Sequence, residues 1–112
     1  MKIWLDDIRE APAGYDWCHS VNEAIKLIKD IEKFNDTMMD YFEDSIVGEW
    51  FIKIEVIDCD HDLGDYAKDG GDGIKLIDWL AEHNKFYNIK LHTMNPVGRQ
   101  NMQREIDRYW PK

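Results

Sequence analysis

Three aspartates and a histidine follow directly on an apolar run in the stretch Ile57 to Gly64, IDCDHDLG. The residues before it, Phe51-Ile52-Lys53-Ile54-Glu55-Val56-Ile57, are mostly β-branched or aromatic and predict a strand over about 51–58. That strand would deliver Asp60, His61 and Asp62 to its C-terminal end, the edge at which open α/β sheets bind ligands. Carboxylates crowded at one point repel one another unless a cation or a shared proton relieves them, so this stretch points to a hard-metal site or a coupled acid/base pair. A solvated acidic turn, closed by local hydrogen bonds of Asp62, accounts for the same residues without chemistry.

The pattern recurs twice. Lys2-Ile3-Trp4-Leu5 reads as a short strand ending on Asp6-Asp7, and Ile89-Lys90-Leu91 as another followed by His92-Thr93. After these, Asn95 is a good N-cap and Pro96 a good first helical residue, so a helix opens beside the strand end with Arg99 one turn in. Unpaired amides there, with Arg99, describe a phosphate cradle; the plainer reading has Asn95 only capping and Arg99 in water. His61 and His92 are the histidines placed to move protons, whereas His19 and His83 are read as structural.

The elements that must position these groups are legible in order. Ile8 to Gly14, with Arg9 and Pro12, is an extended loop, and Tyr15-Asp16-Trp17-Cys18 is a brief strand. The short link allows either direction for this strand, and parallel is preferred. Ser20-Val21-Asn22-Glu23 has the form of a capping box, behind which Val21, Ala24, Ile25, Ile28 and Ile31 share a helical face. Residues 34–50 are acidic, with Asp36, Asp40, Glu43, Asp44 and Glu49 but no Lys or Arg after Asp36, and read as an inserted helix or flap. It is either a solvated excursion or a Met-rich surface for a protein partner. Asp65 to Gly73 is a glycine-punctuated loop without a dinucleotide or P-loop fingerprint. Asp72 is placed to cap a helix burying Ile74, Ile77, Leu80 and Ala81, with Lys75, Asp78 and Glu82 facing water. The last helix presents Met102, Ile106 and Tyr109 on one face.

Composition sets the outer bounds. A chain of 112 residues with 44% hydrophobic content and five Trp is long enough for one self-sufficient core, so a single domain, 1–112, is expected. The net charge of −9 disfavours a grip on duplex nucleic acid, although a small nucleotide held by a metal and one arginine remains open. The N-terminus lacks a signal-peptide-like apolar stretch and no segment has membrane-spanning length, which makes the cytoplasm the default location. Cys18 and Cys59 have neither CxxC spacing nor a cysteine framework and are read as reduced packing residues.

Strands alternating with helical crossovers predict a three-layer α/β domain with a mainly parallel sheet in the flavodoxin-like order 2-1-3-4. That order brings Asp6, Asp7, Asp60, His61, Asp62, His92 and Thr93 to one edge. The acids after the first strand, the D-x-x-L run from Asp60 to Leu63, Gly73 and Thr93 resemble a response-regulator receiver domain. More specifically, IWLDDIREAP, DHDLG and HTMNPVGR resemble the cyclic-phosphate processing receiver domain, a divergent branch. The resemblance implies a Mg²⁺ site built from Asp6, Asp7 and Asp60, with the carbonyl of Asp62 completing it and Thr93 contacting a phosphoryl group. Asp60 matches the aspartate that receivers phosphorylate. No fifth strand follows the helix from Pro96, and the receiver lysine has no matching position; Arg9 or Arg99 are the cations left to take its part.

Two functions follow. In the first, a divalent cation (Mg²⁺ foremost, Mn²⁺ the alternative) on Asp6, Asp7 and Asp60 serves a phosphoesterase acting on a small cyclic phosphate, a nucleotide or an RNA end. His92 is then the general acid or base, Thr93 and Asn95 orient the phosphate, and Arg9 or Arg99 stabilise its charge. In the second, the chain is a receiver-type signalling or binding module, phosphorylated on Asp60 or not catalytic at all. The small size favours the module; the extra histidine and arginine favour the enzyme.

Overall fold

A computed structural model describes residues 1–41 and 50–112. Four strands, β1 (Lys2–Leu5), β2 (Tyr15–Cys18), β3 (Val56–Cys59) and β4 (Ile89–Leu91), form one sheet in the order β2-β1-β3-β4, and every pairing is parallel. This is the receiver-like order anticipated above, without a fifth strand among the described residues. Helix α1 (Val21–Tyr41) crosses from β2 to β3, α2 (Ile74–Glu82) from β3 to β4, and α3 (Pro96–Tyr109) follows β4.

Two consecutive right-handed crossovers running the same way across a sheet put their helices on the same face. The core agrees: Val21, Ala24, Ile28 and Ile31 of α1, Leu76, Ile77 and Leu80 of α2 and Met102 of α3 join Ile3, Leu5, Ile57 and Cys59 in a single cluster. Trp4 and Val56 are also buried, but lie outside that cluster, on the alternate side of the pleat. The described residues therefore build two of the three layers expected. The connection from β1 to β2 is the loop from Asp6 to Gly14, too short for the helix that would cover the second face.

Local chemistry fixes the joints. The Ser20 hydroxyl accepts from the Glu23 amide at 3.1 Å while the Glu23 carboxylate accepts from the Ser20 amide at 2.9 Å, a complete capping box. Asn95 caps α3 by accepting from the Gly98 amide at 3.0 Å, with Pro96 in the first turn. Asp72 does not cap α2. Its carboxylate accepts from the Leu63 amide at 3.1 Å, and Gly73 starts the helix with no side-chain bond.

Other boundaries also move. The strand expected over 51–58 forms only at Val56–Cys59, because the neighbours it pairs with are themselves short; the Glu55 amide donates to the Met1 carbonyl at 2.8 Å just before it. Upstream, Asn35 replaces a strand partner, accepting from the Ile52 amide and donating to the Ile52 carbonyl. The face of α2 is rotated toward Leu76, leaving Ile74, Ala81 and Asp78 half-buried. Tyr109 of α3 is exposed. Residues 34–41 of the acidic segment are the last turns of α1, and 42–49 lie outside the described residues. Cys18 and Cys59 are buried free thiols, as read from the sequence. No helix of the described residues is long and apolar enough to cross a membrane.

Candidate functional site at the strand ends

The parallel ladder runs one residue beyond the strands: the Asp6 amide donates to the Cys18 carbonyl, Asp60 to Leu5 and His92 to Cys59. Asp6, Asp60 and His92 are thereby held in register at neighbouring strand ends. An open groove of about 370 Å³ lies there, lined by Asp6, Asp7, Ile8, Arg9, Asp60, Asp62 and Gly64. One carboxylate oxygen from each of Asp6, Asp7 and Asp60 lies within 4.8 Å of the others, a spacing that one oxygen-seeking cation would bridge.

Asp6 is almost fully buried, at 3% exposure. Burial pushes its carboxyl up, but the amides of Arg9 and Ile8, bonded to its Oδ1 at 2.7 and 2.9 Å, and His92, bonded to its Oδ2 at 2.9 Å, outweigh this and hold it below the usual range. Asp60 shifts the opposite way. Burial raises it, the His61 amide and the Thr93 hydroxyl partly offset that, and the charge of Asp6 adds to the rise. The pair is thus polarised, one carboxylate firmly ionised and its neighbour readier to hold a proton.

Glycines set the walls. A Cβ on Gly64, whose φ is +54°, would stand 2.6 Å from Asp7 Oδ2, and one on Gly73 would stand 1.9 Å from the Asp60 carbonyl oxygen. The start of α2 thus packs directly on the backbone of the Asp60 turn, and the Gly73 amide donates to the His61 carbonyl at 2.7 Å.

The remaining anticipated residues are distributed less simply. Thr93 is buried beside Asp60 and reaches it through its hydroxyl. The Asp62 carboxylate lines the groove but is bonded to His61 Nδ1 at 2.8 Å and to the Asn95 amide at 3.2 Å, so it stands apart from the Asp6, Asp7 and Asp60 oxygens. The His61 bond, then that of Asn95, hold Asp62 below the ordinary carboxylate range. His61 lies under the start of α3, where a Cβ on Gly98 would come within 2.5 Å of its ring. Asn95 spends its side chain on the Gly98 amide and Asp62, and Pro96 has no N–H, so little of the α3 N-terminus is left to cradle a phosphate. Arg99 is exposed and does not line the groove; Arg9 does, its guanidinium 3.5 Å from the His92 carbonyl.

His92 does not face the groove. Its Nε2 bonds Asp6 and its Nδ1 bonds Asp58 Oδ1 at 2.7 Å, while the ring stacks on Trp4 with centroids 3.8 Å apart and planes 4° apart. Asp58, on β3 itself, is the residue that sequence reasoning passed over. Its signal was present: an aspartate inside a strand, on the pleat face opposite Ile57 and Cys59 and so on the same side as Trp4. His19 and His83 lie away from the groove: His19 stacks on Trp17, and His83 Nδ1 is bonded to the Trp79 carbonyl.

No curated protein and no solved structure matches the chain. The cyclic-phosphate processing receiver domain matches residues 1–42 and 48–108. That span takes in all four strands and every residue that lines the groove, from the Asp6-Asp7 pair to Gly64, and by it the chain belongs to the cyclic-phosphate processing receiver domain family.

Proposed function

We propose that the domain binds a divalent cation through Asp6, Asp7 and Asp60 and uses it to take and hydrolyse a small phosphate ester, with cyclic phosphates of nucleotides or RNA ends as the substrate class. One observation carries this reading: three carboxylate oxygens within 4.8 Å of one another share an open groove with Arg9. The donor set is all oxygen, which fits Mg²⁺ first and Mn²⁺ next. When bound, such a cation neutralises phosphoryl charge and lowers the barrier to attack by water.

The chain's own residues would divide the remaining work. Arg9, on the groove wall, takes the non-bridging phosphate oxygens. Asp60, whose carboxyl burial raises while that of Asp6 is held low, takes a proton from the attacking water as a new P–O bond forms; the ester P–O bond breaks, and the proton passes to the departing alkoxide. Thr93 orients Asp60 through its hydroxyl. His92, with both ring nitrogens engaged by carboxylates, is a positioning residue for Asp6 in this scheme, replacing the general acid or base expected from sequence.

The test is to supply the purified protein and its Asp60→Asn variant with 2′,3′-cyclic nucleotides and cyclic dinucleotides in Mg²⁺ or Mn²⁺, and to follow product. Turnover by the parent, abolished in Asp60→Asn and in EDTA, supports the reading; equal turnover by both proteins refutes it. The bond between Thr93 and Asp60 also favours a phospho-accepting receiver. A parent that turns over nothing yet gains one phosphoryl group from acetyl phosphate, as read by intact mass, would establish that alternative.

A further inference from the structure

The groove's acids are not equally free to bind a cation. Asp6 Oδ1 already accepts two amide bonds, from Ile8 and Arg9, which uses both of its lone-pair positions. Oδ2 accepts one bond, from His92 Nε2, and so keeps one position. Asp6 can therefore offer a cation a single oxygen, and the same ring that occupies half of that oxygen fixes its direction.

The ring is constrained on every side. Trp4, 7% exposed and anchored by an indole N–H bond to the Arg9 carbonyl at 2.8 Å, lies flat against it. Asp58 holds the far nitrogen at 2.7 Å. Asp58 is itself largely buried, its side chain 13% exposed, in the middle of a sheet where an acid has no packing value. Its partner His92 is the group that accounts for its presence.

We infer that Asp58 is a positioning residue for the cation site: acting only through His92, it aims Asp6 Oδ2 into the groove. The inference rests on the cation reading above. It assigns Asp58, which touches neither the groove nor any proposed ligand other than through the ring, a measurable role in affinity. Groups that orient a metal ligand by bonding it contribute about 10- to 100-fold to metal affinity, and Asp58, one step behind such a group, belongs at the lower end of that range.

The experiment is a double-mutant cycle read by Mg²⁺ and Mn²⁺ titration calorimetry, on the parent, Asp58→Asn, His92→Gln and the double variant, with melting without metal recorded for each. Asp58→Asn is expected to weaken cation binding about tenfold. The double variant is expected to bind no more weakly than His92→Gln alone, because an effect transmitted through the ring vanishes once the ring is gone. Losses that add across the two sites would show Asp58 acting independently through its charge, and overturn the inference, as would Asp58→Asn affinity within twofold of the parent. If Asp58→Asn fails to fold, Asp58→Glu decides: it keeps the charge but moves the carboxylate against the ring, so cation binding about tenfold weaker than the parent's supports the inference and parent-like affinity overturns it. A parent that binds no cation at all fails the proposed function first and this inference with it, whereas binding by the parent with additive losses removes this inference alone.

Discussion

Asp60→Asn is the perturbation that separates a cation ligand from a structural hydrogen-bonding group. The carboxylate oxygens of Asp6, Asp7 and Asp60 lie within 4.8 Å of one another, and two like charges at that limit repel by about 1 kcal/mol at the dielectric of water and about 3.5 kcal/mol at an effective value of 20. Asn keeps the oxygen that accepts from the His61 amide, at 2.8 Å in the parent, so relief of charge is the main change. After the offset from His92, a net gain of about 1 kcal/mol without metal is expected, which over 112 residues raises Tm by about 4 °C. The pH dependence follows from the raised Asp60 carboxyl. Its contribution to parent stability is complete below the unfolded value, 3.8, and is lost as pH rises through the higher folded value. The advantage of Asp60→Asn should therefore be absent at low pH, grow across that window and level off above it. Saturating Mg²⁺ should reverse the ranking: at 100 Kd the parent gains about 2.7 kcal/mol, while a variant bound tenfold more weakly gains about 1.4 at the same concentration. Thermal melts over pH and Mg²⁺ concentration read all of this. An Asp60→Asn protein less stable than the parent without metal, and equal to it in response to Mg²⁺, would refute the reasoning.

Other outcomes are equally definite. Gly73→Ala places a methyl 1.9 Å from the Asp60 carbonyl oxygen with backbone on both sides, so chemical denaturation should show a loss at or above the upper end of the usual ~1–3 kcal/mol for overpacking. Arg9→Ala should leave the calorimetric Mg²⁺ affinity nearly unchanged and weaken inorganic phosphate binding in the presence of Mg²⁺, since the guanidinium is on the groove wall but is no ligand. Burial raises the Cys18 thiol to about 12, with Glu23 and Asp16 adding to it, and burial raises Cys59 further. Both should therefore resist a thiol reagent in the native protein and react at the rate of unfolding.

Much of the fold is written in short-range signals. The capping box at Ser20 and Glu23 and the Asn95-Pro96 pair each satisfy helix-end amides within four residues, and both formed as read. Where the reading slipped, the deciding partner was distant in sequence. Phe51 to Glu55 has strand composition, but strand length is set by what lies alongside, and β1 and β4 are too short to extend it. Asp72 looked like a cap until the Leu63 amide, nine residues back, claimed its carboxylate.

The site shows the same division more sharply. Asp6, Asp7 and Asp60 were legible because each is an acid directly after an apolar run, and parallel strands must bring such ends together. The placement of His92 was not, because sequence places it beside Thr93 and says nothing of which side its ring turns to. Strand parity supplies the answer. Trp4 and Asp58 are register partners, and the ladder bonds at Asp6, Asp60 and His92 continue that register, so Trp4, Asp6, Asp58, Asp60 and His92 fall on the pleat face opposite the helical core. On a face covered by a helix, those positions would have to be apolar. Here the β1–β2 connection is a loop, and the face it leaves is occupied instead by an indole, an imidazole and two acids bonded to one another. The loop connection and the polar clamp thus belong together: among the described residues no helix joins β1 to β2, and the sheet face on that side carries the groups that hold Asp6.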